Sequence, residues 1–156
     1  STQIVKLAAS LGIEIPILGG DTLDSNMVLE AAAGSDVQLY VSTFYQEGGS
    51  PEFDEGFKAW LSEDSTAMTN NGGNDTIAAV TAMGYDAYYV ALEALKAAGS
   101  TDKAAVKAAL PDVTYTGVSG SIAFDEQGDA IRDTAYIKTA DTANNAWTLE
   151  TVQTVE

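Results

Sequence analysis

The stretch that most constrains the fold is Asn74–Gly99, NDTIAAVTAMGYDAYYVALEALKAAG. It is long enough for about six helical turns at 3.6 residues each. Asn74 or Asp75 suits the N-cap, and Gly99 stands where a left-handed residue commonly ends a helix. Ile77, Val80, Gly84, Tyr88, Ala91, Leu95 and Ala98 recur at three- and four-residue spacing, which predicts one buried face. Asp86, Glu93 and Lys96 fall opposite as a narrow polar strip. Alanine and glycine fill much of the remainder, so neighbouring elements can approach the axis closely. The pattern predicts a central packing helix.

Ahead of it, helix and strand patterns alternate. Thr2–Leu11 is amphipathic, with Ile4, Leu7, Ala8 and Leu11 on one face and Gly12 as its stop. Ile15–Gly19 has the length of a buried strand, and Pro16 suits its start rather than its middle. Ser25–Ala33 reads as a helix capped by Asp24 or Ser25 and closed by Gly34. Val37–Tyr45 reads as a strand rich in β-branched and aromatic residues. This alternation predicts an α/β fold with a parallel sheet flanked by helices. A crossover helix normally follows a strand, yet the chain opens on a helix, so the sequence is expected to begin inside a larger protein.

Glu52–Leu61 predicts a helix with Phe53, Phe57 and Trp60 or Leu61 inward, and Ser62–Gly73 a polar surface connection. Beyond the central helix, Ser100 or Thr101 caps a short helix that Pro111 ends. From Val113 the period changes to two. Val113–Phe124, a turn at Asp125–Asp129, Thr134–Lys138 and Trp147–Val152 predict a C-terminal run of mostly antiparallel strands.

Composition narrows the chemistry. The 156 residues suffice for a real core, and 46% are hydrophobic. Against 23 acidic residues stand 7 basic ones, a net charge of -16 that argues against nucleic-acid and anionic-membrane partners. With no cysteine and no histidine there is no disulfide framework, Ser-His-Asp triad or common zinc site. No cofactor, metal site or catalytic residue is expected. No apolar run reaches the length of a membrane span.

Gly19-Gly20-Asp21-Thr22 lies where a strand ends and the next helix has not begun, the crevice in which open α/β sheets bind ligands. Two glycines let backbone approach a small molecule, Asp21 offers a carboxylate to a cation, and Thr22 a hydroxyl. The plainer alternative is that Gly-Gly only turns the chain while Asp21 and Asp24 cap the following helix. Asp125–Asp129 lacks the spacing and terminal Glu of an EF-hand and reads as a β-turn with Gly128 at positive φ. Asp86 and Glu93 read as a solvated pair, Tyr85, Tyr88 and Tyr89 as core. Asn70–Asn74, with no lysine following, is not a phosphate loop.

LGIEIPILGGDTL, then GYDAYYVALEALKAAGS, then GSIAFDEQGD, in this order and spacing, resembles the C-terminal half of the branched-chain amino acid (Leu/Ile/Val type) substrate-binding proteins of ABC transporters. The resemblance runs over nearly the whole chain. It implies a partial type I periplasmic-binding-protein fold: two α/β lobes, both incomplete here, closing on a ligand. Residues 1–43 would belong to lobe 2, 44–132 to lobe 1, and 133–156 would return to lobe 2.

It further implies that Asp21 holds the α-ammonium of an amino acid or related zwitterion, with Gly20 and Thr22 beside it. Some relatives set an aromatic against the ligand near the start of the central helix, where this chain has Ile77–Val80. The implied partners are the amino-acid ligand, a membrane permease and the N-terminal half of the same protein. The implied location is periplasmic or extracellular, with a lipid anchor at the N-terminus as one arrangement. Exposed sheet edges favour association, so a homodimer is a further candidate. Rival readings are a ligand-sensing regulator of the same fold and a metal-dependent transferase.

Overall fold

The computed structural model describes residues 2–154. Ser1 and Glu156, the outer bounds of the lobe-2 segments, lie outside the described residues. Helix α1 (Thr2–Leu11) leads to strand β1 (Ile17–Gly19), a 3-10 turn at Asp21–Leu23, helix α2 (Asn26–Ala32) and strand β2 (Leu39–Thr43). β1 and β2 pair in parallel, Ile17 opposite Leu39. The other edge of β2 takes β6 (Thr134–Asp141) antiparallel, and β6 pairs with β7 (Ala146–Thr154), so the sheet order is β1-β2-β6-β7. The parallel pair agrees with the alternation read before Val113, and its antiparallel extension by C-terminal strands with the period of two read after it.

The core under this sheet joins Val5 and Ala8 of α1 to Val28, Ala31 and Ala32 of α2 and Leu39 of β2, with Trp147 packed alongside. The face of α1 differs from expectation. Val5 is 1% exposed, whereas Ile4 is 66% and Leu11 65% exposed. Two arcs of α1 are apolar, and the one bearing the larger side chains faces outward.

The remaining elements form a second body. α3 (Pro51–Glu63) is followed by α4 (Ser65–Asn70), α5 (Ala79–Ala98) and α6 (Lys103–Ala109). Strands β3 (Tyr115–Gly117), β4 (Gly120–Phe124) and β5 (Ala130–Ile131) make an antiparallel sheet. α4 lies inside the segment expected to be a surface connection; the Asp64 side chain caps it by accepting from Thr66 and Ala67 N–H. Asp102, not Ser100 or Thr101, caps α6. The Asp125–Asp129 turn is as expected, with Gly128 at φ 89° and Asp125 accepting from Gln127 and Asp129 N–H.

The central helix corrects the sequence reading twice. It begins at Ala79, because Asn74 Oδ1 is engaged by Asn26 Nδ2 and by Thr76 N–H. Its inner face is Ala79, Ala82, Asp86, Val90 and Ala94, while Val80 and Tyr88 are 69% and 62% exposed. Asp86, expected in solvent, is fully buried. Its carboxylate accepts from Val118 N–H (2.9 Å), Ser119 N–H (2.7 Å) and the Ser119 hydroxyl, tying α5 to the β3–β4 turn.

Candidate functional site

β1 ends at Gly19 and the chain turns at once. Gly20 is extended, and Leu23 and Asp24 N–H close the turn on the carbonyls of Gly20 and Asp21 at 3.0 Å each. A Cβ on Gly19 would stand 2.0 Å from Leu23 Cδ1, so the leucine side chain packs over this glycine and would have to shift. A Cβ on Gly20 would meet nothing within 4 Å, so this glycine leaves bare surface next to Asp21. Gly20 and Thr22 are exposed and Asp21 is half-buried.

The plainer alternative for the two acids fares badly. Ser25 caps α2, its hydroxyl accepting from Val28 N–H. Asp24 is buried and reaches elsewhere, while no ion pair among the described residues involves Asp21. Its carboxylate caps neither α2 nor its own 3-10 turn. Other acids of the chain are committed internally: Asp86 to the β3–β4 turn, and Asp54 to the Tyr45 hydroxyl and Gly48 N–H. Asp21 is thus a partly screened carboxylate at the carboxyl end of a parallel strand, with capacity to accept hydrogen bonds from outside.

Sequence reasoning read Asp24 only as a cap of α2, a role that Ser25 fills. Asp24 Oδ2 accepts from Thr43 Oγ1 at the end of β2, from Lys138 Nζ on β6 and from Ala79 N–H at the start of α5, each at 3.0 Å. Lys138 is 1% exposed. A lysine flanked on both sides by uncharged residues, TAYIKTA, was the available signal, since a buried ammonium needs a carboxylate. Asn26 joins the same junction, donating to Asn71 O (2.7 Å) and Asn74 Oδ1 (2.6 Å). In the Ile77–Val80 region, Ile77 is buried and Val80 exposed.

A separate open groove of about 510 Å³ runs between α3 and α5, lined by Phe53, Phe57, Trp60 and Tyr85. None of its lining residues belongs to the Asp21 turn. Packed edge-on against Phe53, Tyr45 donates to Asp54 Oδ1 (2.6 Å) and accepts from Ser50 N–H (3.1 Å). Burial first, then that hydrogen bond, pushes the Tyr45 phenol well above its usual range. Among the described residues no cluster of three or more acidic side chains is placed to hold a metal ion. No helix among them is long and apolar enough to cross a membrane.

A family model described as periplasmic binding protein matches residues 1–145. No curated protein matches the sequence significantly. Among solved structures, a leucine binding protein from Thermotoga maritima is 28% identical with a TM-score of 0.73, over 98% of this chain and 41% of its own. An ABC transporter substrate-binding protein from Desulfitobacterium hafniense, in complex with Leu, is 26% identical with a TM-score of 0.60, over 95% of this chain and 39% of its own. A solute binding protein of an ABC transporter from R. palustris, in complex with benzoate, shares the fold at 15% identity and a TM-score of 0.71. The chain therefore spans about two fifths of the structures it matches.

Proposed function

Because the chain belongs to the periplasmic binding protein family, we propose that it is part of an extracytoplasmic solute receptor. That receptor binds a small amino acid or related zwitterion between two lobes and delivers it to the membrane permease of an ABC transporter. The observation that carries this reading is the Asp21 carboxylate, half-buried at the carboxyl end of β1 and without an ion-pair partner among the described residues. An α-ammonium supplies the charge-assisted donors such a carboxylate lacks. Gly20 leaves the approach open, and the Thr22 hydroxyl is available beside it.

Lobe 2 comprises residues 1–43 and 133–156 in this reading, and lobe 1 comprises 44–132. The separate cores are in keeping with that division: one gathers α1, α2 and Trp147, another Tyr45, Phe53, Ile77 and Ala82. The missing part of the clamp is a further polypeptide portion, the N-terminal half of the same protein. The outward apolar faces of α1 and α5 support this. Specificity arises from differential affinity for the closed state, without bond chemistry. A lipid anchor ahead of the chain would hold the receptor at the membrane.

The test is calorimetry with L-leucine as probe. In the full-length receptor, Asp21→Ala is expected to weaken binding by about tenfold or more, as loss of a charge-assisted contact requires. An unchanged dissociation constant would end the assignment. The 156-residue chain alone is expected to bind far more weakly than the receptor; equal affinity would remove the need for a second half.

A further inference from the structure

The buried Asp24 junction has more connections than α2 requires. Ser25 already caps that helix, so Asp24 is not needed there. Its Oδ2 instead gathers donors from three separate places in the chain: Thr43, Ala79 and Lys138. Two of these belong to the four-stranded sheet. The third, Ala79 N–H, opens the central helix of the other body. At the same time the backbone N–H of Asp24 closes the turn that carries Asp21, on the Asp21 carbonyl. One residue therefore bolts the Asp21 turn to the N-terminus of α5.

A buried ion pair is a poor device for stability alone, because desolvation offsets much of its attraction. Such pairs are better suited to fixing one arrangement among several. Asn26 strengthens the same clasp from one residue beyond the cap, gripping Asn71 and Asn74 just ahead of α5. Among the described residues Asp24 Oδ1 is buried without a partner, and all three donors converge on Oδ2.

We infer that Asp24 is the positioning residue for the Asp21 turn, holding it in register with the first turn of α5 across the two bodies. This rests on the proposed role of Asp21 for its consequence in binding, but not for the coupling itself. A cation drawn onto Asp21 would then load α5 directly, and displacement of α5 would reorient the Asp21 carboxylate.

The decisive variant is Ala79→Pro. Position 79 is the first helical residue, where proline is tolerated, and Ala78 is already extended at φ −76°, ψ 153°, as a residue before proline should be. The substitution deletes the bridging N–H and leaves Asp24, Lys138 and Thr43 in place. Asp102→Ala, which removes a capping hydrogen bond on distant α6, controls for general destabilisation. Hydrogen exchange on the 156-residue chain reads the amides of Leu23, Asp24 and Ser25.

Ala79→Pro is expected to speed their exchange by roughly fivefold or more over Asp102→Ala. Equal exchange in the two variants overturns the coupling. Should Ala79→Pro fail to fold, Asp24→Asn gives the reverse reading, with faster exchange at Ala79 expected and unchanged exchange there overturning it.

In the full-length receptor, Ala79→Pro should also weaken L-leucine binding while Asp102→Ala does not. Coupled exchange with unaltered affinity overturns the positioning role. If the native receptor binds no leucine, the Asp21 assignment to that ligand fails, and the exchange data still decide the coupling.

Discussion

Replacing Asp86 should be the most damaging single change in the helical body. Its carboxylate is fully buried and takes Val118 N–H at 2.9 Å and Ser119 N–H at 2.7 Å, besides the Ser119 hydroxyl. Hydrogen bonds to a charged acceptor contribute about 1.5–3 kcal/mol each, and stranded buried donors cost about 1–3 kcal/mol. Allowing for overlap, Asp86→Ala should cost about 3–5 kcal/mol, a large part of a typical domain stability of about 5–15 kcal/mol.

Asp86→Asn preserves shape but turns an NH2 group toward a ring of donors, so it should still cost about 2–4 kcal/mol. The same geometry fixes Gly117, where an added Cβ would lie 2.1 Å from Asp86 Oδ1. Gly117→Ala alone should therefore be severe, and much milder on top of Asp86→Ala, a coupling of about 1–3 kcal/mol. Urea unfolding followed by circular dichroism measures all four corners of the cycle. An Asn variant within about 0.5 kcal/mol of the parent, or strictly additive effects, would refute the reasoning.

Tyr45→Phe should cost about 1–2 kcal/mol by leaving Ser50 N–H without its acceptor, measured by the same unfolding assay. Because the folded phenol is pushed above its unfolded value near 10, its contribution is fully present below about pH 10 and lost as pH rises beyond it. Tyr45→Phe should flatten that alkaline decline, and an unchanged slope between about pH 9 and 11 would count against it. On α1, Leu7→Ser should change stability by no more than about 0.5 kcal/mol, while Val5→Ser should cost about 2 kcal/mol or more. The reverse order would restore the face that the sequence alone suggests.

Much of the local structure was legible. The Ser25 cap, the glycines closing α1 and α2, the β1–β2 alternation and the Asp125–Asp129 turn all arise from interactions within a few residues. The junctions were not, because they are made at a distance. The donors to Asp86 lie 32 and 33 residues further on, and those to Asp24 include Ala79 and Lys138, 55 and 114 residues away. Nothing local distinguishes such an acid from one on a solvated face. The Asp21 turn was visible for the opposite reason: it is marked by its place at a strand end and by adjacent glycines, both local properties.

The two misread helices share one physical cause. Periodicity gives weight to large apolar side chains, yet the seam that α5 buries is mostly small: Ala79, Ala82 and Ala94, interrupted by an acid. Its larger residues Val80, Tyr88 and Leu95 point outward, as do Ile4, Leu7 and Leu11 of α1. A surface helix needs one apolar stripe, whereas one that is apolar on two sides is suited to packing on both. The outward residues of α1 and α5 are therefore better read as a second packing surface than as a failed first one. In the proposed clamp, small residues would let α5 seat closely on its own body and on Asp24, and the bulky face would be left for the proposed N-terminal half.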